Sequence, residues 1–292
     1  MEMLFMVLGG LGLFLYGIKL MSSGLQTIAG DRMRIILEKG TKTPIRGVLT
    51  GIIVTGLIQS SSGTTVLTVG LVNSGLLTLR QAIGVIMGAN IGTTVTAYLI
   101  GFKLADYALP IVFVGVLLLC FSKNQKISTI GQSILGFGLL FYGMDIMGNG
   151  LQPLAHTQLF NDLMAQVDDN PLVGVGIGAG LTAVVQSSAA TIGILQELAY
   201  QHVITYSQAV PILFGDNIGT TVTALIAGIG ASVAARRASL THFIFNVIGT
   251  LIFLPLFLLG IFPWLVENVT NILFFAAGGW DVEECAVFAQ AV

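Results

Sequence analysis

Apolar stretches of about twenty residues recur along this chain, the length that an α-helix needs to cross a bilayer, and the first covers 3–21. Charged residues make up only 9% of the 292 residues, whereas soluble domains carry about 25%. So few charges exclude a soluble enzyme, a disordered chain and a nucleic-acid-binding protein. We therefore predict an all-α polytopic membrane protein.

The chain also contains an internal repeat. Gln-Ser-Ser at 59–61 recurs at 186–188, and Gly-x-Asn-Ile-Gly-Thr-Thr at 88–94 recurs at 215–221, both at an offset of 127. Nearer the start of each half, Tyr16-Gly17 matches Tyr142-Gly143 at an offset of 126. These matches predict transmembrane repeat 1 over 1–127, transmembrane repeat 2 over 128–260, and an additional C-terminal span with a short tail over 261–292.

Basic residues divide unequally between the two halves. The connector 31–46 after the first apolar stretch carries five Lys and Arg, whereas the equivalent connector at 155–170 carries none. Because short cytoplasmic loops are enriched in Lys and Arg, we expect these equivalent loops on opposite sides of the membrane. The pattern predicts repeats of inverted topology in the cytoplasmic (inner) membrane, with the N-terminus outside and the Lys- and Arg-rich loops in the cytoplasm. The segment 31–42 is expected to be an amphipathic interfacial helix.

Polar clusters interrupt two apolar stretches in each half. The stretches 45–77 and 171–203 contain Gln-Ser-Ser, and the stretches 81–101 and 208–230 contain Asn-Ile-Gly-Thr-Thr. Inverted repeats with broken helices are typical of secondary transporters, whose site lies near the membrane midplane where the repeats meet. We expect a break at each motif, and the pattern leaves open whether the first stretch is a re-entrant hairpin or two full crossings.

The residue types in the motifs also limit which kinds of ligand can bind there. Helix N-termini, expected after Ser62, Ser188, Gly92 and Gly219, would direct N–H groups toward an anion. Hydroxyl, amide and carbonyl oxygens suit a small alkali cation. Because the motifs contain no Lys, Arg or His, an anion held there would need its positive charge from co-bound cations. This charge balance favours cation-coupled transport.

Asp216 stands where the first half has Ala89. An ionisable residue at membrane depth is functional by default, which favours a cation ligand or a proton-sensitive group. A helix N-cap is the alternative.

The paired motifs resemble the type II sodium-dependent phosphate cotransporters and their bacterial relatives, over about residues 1–260. The resemblance implies alternating access, no catalysis, and inorganic phosphate and sodium as ligands, with no organic cofactor. Expected phosphate-binding residues are Gln59, Ser60, Ser61, Ser62, Thr64, Gln186, Ser187, Ser188 and Thr191. Expected sodium ligands are Gln59, Asn90, Thr93, Thr94, Gln186, Asp216, Asn217, Thr220 and Thr221. Ala189 departs from the pattern, because the first half has Ser62 there, so the halves cannot contribute identical ligands.

The residues leave alternative functions open. Sulfate or a dicarboxylate would satisfy the same donors, and a membrane sensor or scaffold could bind phosphate without moving it. His242 with a serine would suggest a hydrolase, but no nucleophile–base spacing supports one. The bilayer is the expected environment, and a second copy of the chain is a further candidate partner.

Overall fold

The computed structural model describes residues 2–30, 32–102 and 104–276. The protein is 87% helical and has no β-strand among these residues, which confirms the all-α prediction. The helices are α1 (Glu2–Ala29), α2 (Arg32–Gly40), α3 (Pro44–Ile58), α4 (Ser61–Asn73), α5 (Leu79–Ile100), α6 (Ala105–Phe121), α7 (Gln125–Leu151), α8 (Gln158–Asp169), α9 (Pro171–Val185), α10 (Ser188–Tyr200), α11 (Tyr206–Gly219), α12 (Thr221–Ala227), α13 (Val233–Leu258) and α14 (Ile261–Ala276).

Several helices are long and apolar enough to cross a membrane. Among the described residues these are α1, α5, α7, α13 and the segment Tyr206–Ala227, which contains α11 and α12. A multi-pass membrane protein is therefore confirmed. The short helix α2 lies within the segment expected to be interfacial.

The described residues form two compact units. Unit 1 contains the described residues up to Pro153 together with Thr223–His242, and unit 2 contains Leu154–Val222 and the described residues from Phe243 onward. Compactness groups helices by contact, whereas a repeat is defined by sequence similarity. The repeat boundaries at 127 and 260 therefore stay predictions.

Glycines bring α1 and α7 into backbone contact within unit 1. A Cβ on Gly10 would lie 2.7 Å from the carbonyl oxygen of Gly143, and one on Gly17 would lie 2.7 Å from that of Gly136. Gly24 faces Ser133 in the same way. Because the contact positions rise along α1 while they fall along α7, the two helices are antiparallel. Small residues at such positions allow close helix packing in membranes.

The contacts between α1 and α7 are symmetric. Replacing each residue by its counterpart in the other helix gives another observed contact. With the offset of 126, the pair Gly10–Gly143 becomes Gly136–Gly17, which is also in contact. The pair Gly24–Ser133 becomes Gly150–Val7, and Gly150 does meet Val7. A self-complementary interface of this kind is what a two-fold axis produces. Since α1 and α7 begin the two predicted repeats, the contact supports their inversion.

Helices α3 and α5 run parallel in unit 1. A Cβ on Gly84 would lie 2.6 Å from the carbonyl oxygen of Pro44, at the start of α3, and Gly92 faces Ile52 and Thr55 farther along. The intervening helix α4 must therefore return the chain to the side where α3 began. With 15 and 13 residues, α3 and α4 are each only about 20 Å long, short of the ~30 Å hydrocarbon core. Both lengths fit the re-entrant form of the hairpin, one of the two forms that the sequence left open.

Unit 2 contains the equivalent arrangement. Gly174 meets Pro211 and Ile212, and Gly219 meets Ala179 and Thr182, so α9 and α11 also run parallel. The returning helix is α10, again of 13 residues. The second Gln-Ser-Ser motif therefore also lies in a helical hairpin that returns to the side where it began.

The break expected at the second motif is wrong in the first half, where helix α5 continues without interruption through Gly92. Gly92 serves packing there, because a Cβ would lie 2.9 Å from Ile52 O. In the second half, α11 ends at Gly219 and α12 begins at Thr221, with Thr220 between them at helical angles of φ −57° and ψ −28°. Gly219 also packs closely, since a Cβ would lie 2.5 Å from Ala179 O.

Candidate functional site

The first Gln-Ser-Ser motif forms the tip of the α3–α4 hairpin. Gln59 ends α3 in the left-handed conformation, with φ 54° and ψ 36°, and Ser60 is extended. Ser60 caps α4, because its hydroxyl oxygen accepts a hydrogen bond from the N–H of Gly63 at 3.0 Å. The helix therefore begins at Ser61 and not after Ser62, where the sequence predicted its start.

The second motif adopts the same conformation in unit 2. Gln186 ends α9 with φ 55° and ψ 29°, and the hydroxyl of Ser187 caps α10 by accepting from the N–H of Ala190 at 3.3 Å. A left-handed non-glycine residue costs about 1 kcal/mol or more and persists only where its surroundings enforce it. Its occurrence at both glutamines makes the break a repeated feature of the protein.

Each break leaves backbone N–H donors and carbonyl acceptors without partners in their own helices. The first N–H groups of α4 and α10 have no intrahelical partner and carry the positive end of the helix dipole, a combination that binds anions. The last carbonyls of α3 and α9 carry the negative end and suit cations. In unit 1, Ser22 of α1 donates its hydroxyl to the carbonyl of Ile58 at 2.6 Å, which ties the end of α3 to α1.

The side chain of Gln59 leaves one oxygen unpartnered. Its Nε2 donates to the carbonyl of Gly56, whereas its buried Oε1 has no hydrogen-bond partner. Gln59 is 6% exposed, so Oε1 does not have bulk water as a partner. Such an oxygen suits a cation, as the sequence predicted. Gln186 differs, because its side chain is exposed in unit 2.

A pair of threonine hydroxyls crosses each hairpin. Thr55 Oγ1 lies 2.9 Å from Thr64 Oγ1 in unit 1, and Thr182 Oγ1 lies 2.7 Å from Thr191 Oγ1 in unit 2. The sequence predicted Thr64 and Thr191 as site residues but missed their partners. The available signal was that Thr55 and Thr182 match at the offset of 127.

Unit 2 contains a buried carboxylate, that of Asp216, where the first half has Ala89. Thr182 donates its hydroxyl to Asp216 Oδ1 at 2.7 Å, while Asp216 Oδ2 is buried without a hydrogen-bond partner. The side chain is 0% exposed and makes no ion pair among the described residues. It lies inside α11, so it is no N-cap. A buried carboxylate without a counter-charge is costly unless it binds a cation or a proton.

The threonines of the second motifs bond to nearby backbone carbonyls. Their hydroxyls donate to backbone carbonyls three or four residues earlier, namely Thr93 to Ala89, Thr94 to Ile91, Thr220 to Asp216 and Thr221 to Ile218, at 2.7 to 3.1 Å. Asn217 is exposed within unit 2. Asn90 instead makes a distant contact, with His242, which the sequence did not predict as part of the site.

The structure thus brings together two sets of predicted residues. Unit 1 groups the hairpin tip Gln59–Ser60 with Thr64, and unit 2 groups Thr191 with Asp216. A polytopic membrane protein with two such broken helices, lined by hydroxyl and amide groups, has the architecture of a secondary transporter.

The chain belongs to the Na+/Pi-cotransporter family, which matches it twice, over residues 13–149 and 139–275. It is 32% identical over 242 residues to the uncharacterized protein YqeW of Bacillus subtilis (strain 168), covering 83% of this chain and 78% of YqeW. No solved structure matches it.

Relatives with named activities are also similar. The putative inorganic phosphate export protein YjbB of Escherichia coli (strain K12) is 27% identical over 249 residues, or 85% of this chain and 46% of YjbB. The human sodium-dependent phosphate transport protein 2B is 40% identical over 95 residues, or 32% of this chain and 14% of that protein. The chain therefore spans about half the length of YjbB and less of the human protein.

Proposed function

We propose that this protein is a sodium-coupled inorganic phosphate symporter that works by alternating access in the cytoplasmic membrane. The observation that carries the proposal is the repeated break at Gln59 and Gln186. Each break offers N–H donors and oxygen acceptors at membrane depth without a fixed positive charge. The family and the names of the relatives supply the identity of the anion.

The geometry suggests which residues would bind phosphate and which would bind sodium. In unit 1, the N-terminal N–H groups of α4 and the hydroxyls of Ser61 and Ser62 would bind phosphate, and in unit 2 those of α10 and Ser188 would do so. The capping serines, Ser60 and Ser187, would shape these termini, since their own oxygens are engaged. Oxygens of Gln59, Gln186, Asp216, Asn217 and the threonines of both motifs would hold sodium, which offsets the charge of the anion.

Sodium coupling fixes the direction of transport. Because cells keep sodium low inside, a symporter of phosphate and sodium imports phosphate. The name of the Escherichia coli relatives favours a second candidate function, phosphate export. An exporter would not carry phosphate inward together with sodium, so the two candidates differ in their response to an imposed sodium gradient.

Reconstitution into liposomes tests the proposal. Vesicles loaded with potassium are diluted into labelled phosphate with either sodium or potassium outside, and an ionophore that collapses the sodium gradient serves as the control. Symport predicts accumulation above equilibrium only with the sodium gradient. Equal uptake in both salts would contradict the coupling, and binding without accumulation would indicate a sensor. Excess unlabelled sulfate or succinate would reduce uptake if either were the true substrate.

A further inference from the structure

The side chains of Asn90 and His242 meet within unit 1, far apart in the sequence. His242 Nε2 lies 3.2 Å from Asn90 Oδ1, and His242 is 1% exposed. An amide oxygen only accepts hydrogen bonds, so Nε2 must carry the hydrogen and donate it. With the amide oxygen toward the ring, the contact sets the tautomer of the histidine, with the hydrogen on Nε2.

The helix that carries His242 shares a buried apolar cluster with α5. Ala235 and Ala238 belong to this cluster, which also contains Ala82, Val85 and Ile86 of α5. His242 lies one helical turn beyond Ala238, and Asn90 one turn beyond Ile86, so the polar pair lies next to the cluster. At its start, the backbone N–H of Ser232 donates to Asn73 Oδ1 at the end of α4, at 2.8 Å.

The contact leaves the other end of the Asn90 amide unused. Asn90 Nδ2 is buried and has no hydrogen-bond partner, although it carries two hydrogens. A buried donor without a partner is destabilising, which points to a ligand acceptor at this position. Gln59 shows the opposite case, since its unpartnered atom is an acceptor oxygen.

We infer that His242 is a positioning residue that holds Asn90 with its Nδ2 toward the substrate, so that Asn90 binds a phosphate oxygen and not sodium. This inference rests on the proposed function. A sodium ligand would need Asn90 Oδ1, which already accepts a hydrogen bond from the histidine, whereas Nδ2 has no partner. The first half thus divides its two amide side chains between the two ligands, Gln59 for the cation and Asn90 for the anion.

The variant Asn90→Asp separates the two roles. It replaces the donor with an anionic oxygen of nearly the same size. If Asn90 donates to phosphate, the phosphate concentration for half-maximal uptake rises roughly ten- to hundredfold, while the sodium concentration for half-maximal uptake changes less than about twofold. If Asn90 were a sodium ligand, the added charge would lower the sodium value and leave the phosphate value unchanged, which would overturn the inference. Asn149→Asp, on an exposed part of α7, is the matched control.

Two variants of His242 test its positioning role. His242→Gln keeps an N–H donor near the place of Nε2, whereas His242→Leu removes it. We expect His242→Leu to raise the half-maximal phosphate concentration about tenfold and His242→Gln to restore most of the affinity. A purely structural role would make both variants lose thermal stability without this selective change, and that result would contradict the inference.

Phosphate binding in detergent provides a readout that does not need transport. The thermal shift on adding inorganic phosphate in sodium buffer should be present in the wild type and the Asn149→Asp control and absent in Asn90→Asp. A wild-type protein that shows this shift without sodium-driven uptake would refute the symporter but not the role of Asn90. Equal shifts in the wild type and Asn90→Asp would refute the role of Asn90 alone.

Discussion

The hydroxyl of Thr182 donates to Asp216 Oδ1. This contact reverses the direction of the threonine–threonine hydrogen bond that crosses the hairpin in each half. A hydroxyl has a single hydrogen, so Thr191 must donate to Thr182. In the first half Thr55 donates to Thr64, which donates to the carbonyl of Ser60 at the break. The hydrogen bonds thus run toward the break in unit 1 and toward the carboxylate in unit 2.

Replacing Asp216 with alanine, the residue of the first half, should separate sodium binding from stability. We expect the sodium concentration for half-maximal uptake to rise about tenfold, because an oxygen ligand of full charge is lost. The unfolding temperature in sodium-free detergent should rise, because a buried carboxylate without an ion pair is removed. The exposed Asp106→Ala serves as the control. Unchanged sodium dependence would show that Asp216 is no cation ligand.

The change Gln59→Gly should abolish sodium-driven phosphate uptake while the protein stays folded. Glycine adopts the left-handed conformation of Gln59 without strain, so the break is kept and only the side chain with its unpartnered Oε1 is lost. Uptake in liposomes and the elution profile in detergent measure the two effects. Normal uptake by this variant would place the cation elsewhere.

Adding a methyl group at Gly178 should prevent normal packing of α9 on α11. A Cβ there would overlap the carbonyl oxygen of Ile212, whereas Gly176 and Gly180 of the same helix have nothing within 4 Å of such an atom. We expect Gly178→Ala to cost about 1–3 kcal/mol and to lower the unfolding temperature by several degrees. Gly176→Ala and Gly180→Ala should be neutral or slightly stabilising. Equal unfolding temperatures for all three variants would argue against this packing.

Cysteine labelling in intact cells tests the predicted inversion. In a background of Cys120→Ser and Cys285→Ser, Lys39→Cys reports on the basic connector and Asp162→Cys on its counterpart. A membrane-impermeant maleimide should label only Asp162→Cys in cells and only Lys39→Cys in inverted vesicles. Labelling of both from the same side would rule out inverted repeats.

The helix breaks at Gln59 and Gln186 were predictable because a cluster of polar residues between apolar runs is tolerated in a membrane only where it is buried in protein or lines a cavity. The continuity of α5 through Gly92 was not, since Gly-Thr-Thr can open a helix or bring it close to a neighbour. The choice depends on where the backbone of α3 lies, which only the fold supplies. The contact of Asn90 with His242 joins residues separated by 152 positions, and no local sequence pattern predicts it.

The contact between α1 and α7 limits how the protein can move. Where Gly10, Gly17 and Gly136 bring backbone against backbone, there are no side-chain rotamers to exchange and no second packing to adopt. This pair of helices is therefore rigid. Any rearrangement that carries a substrate across the membrane has to involve other helices.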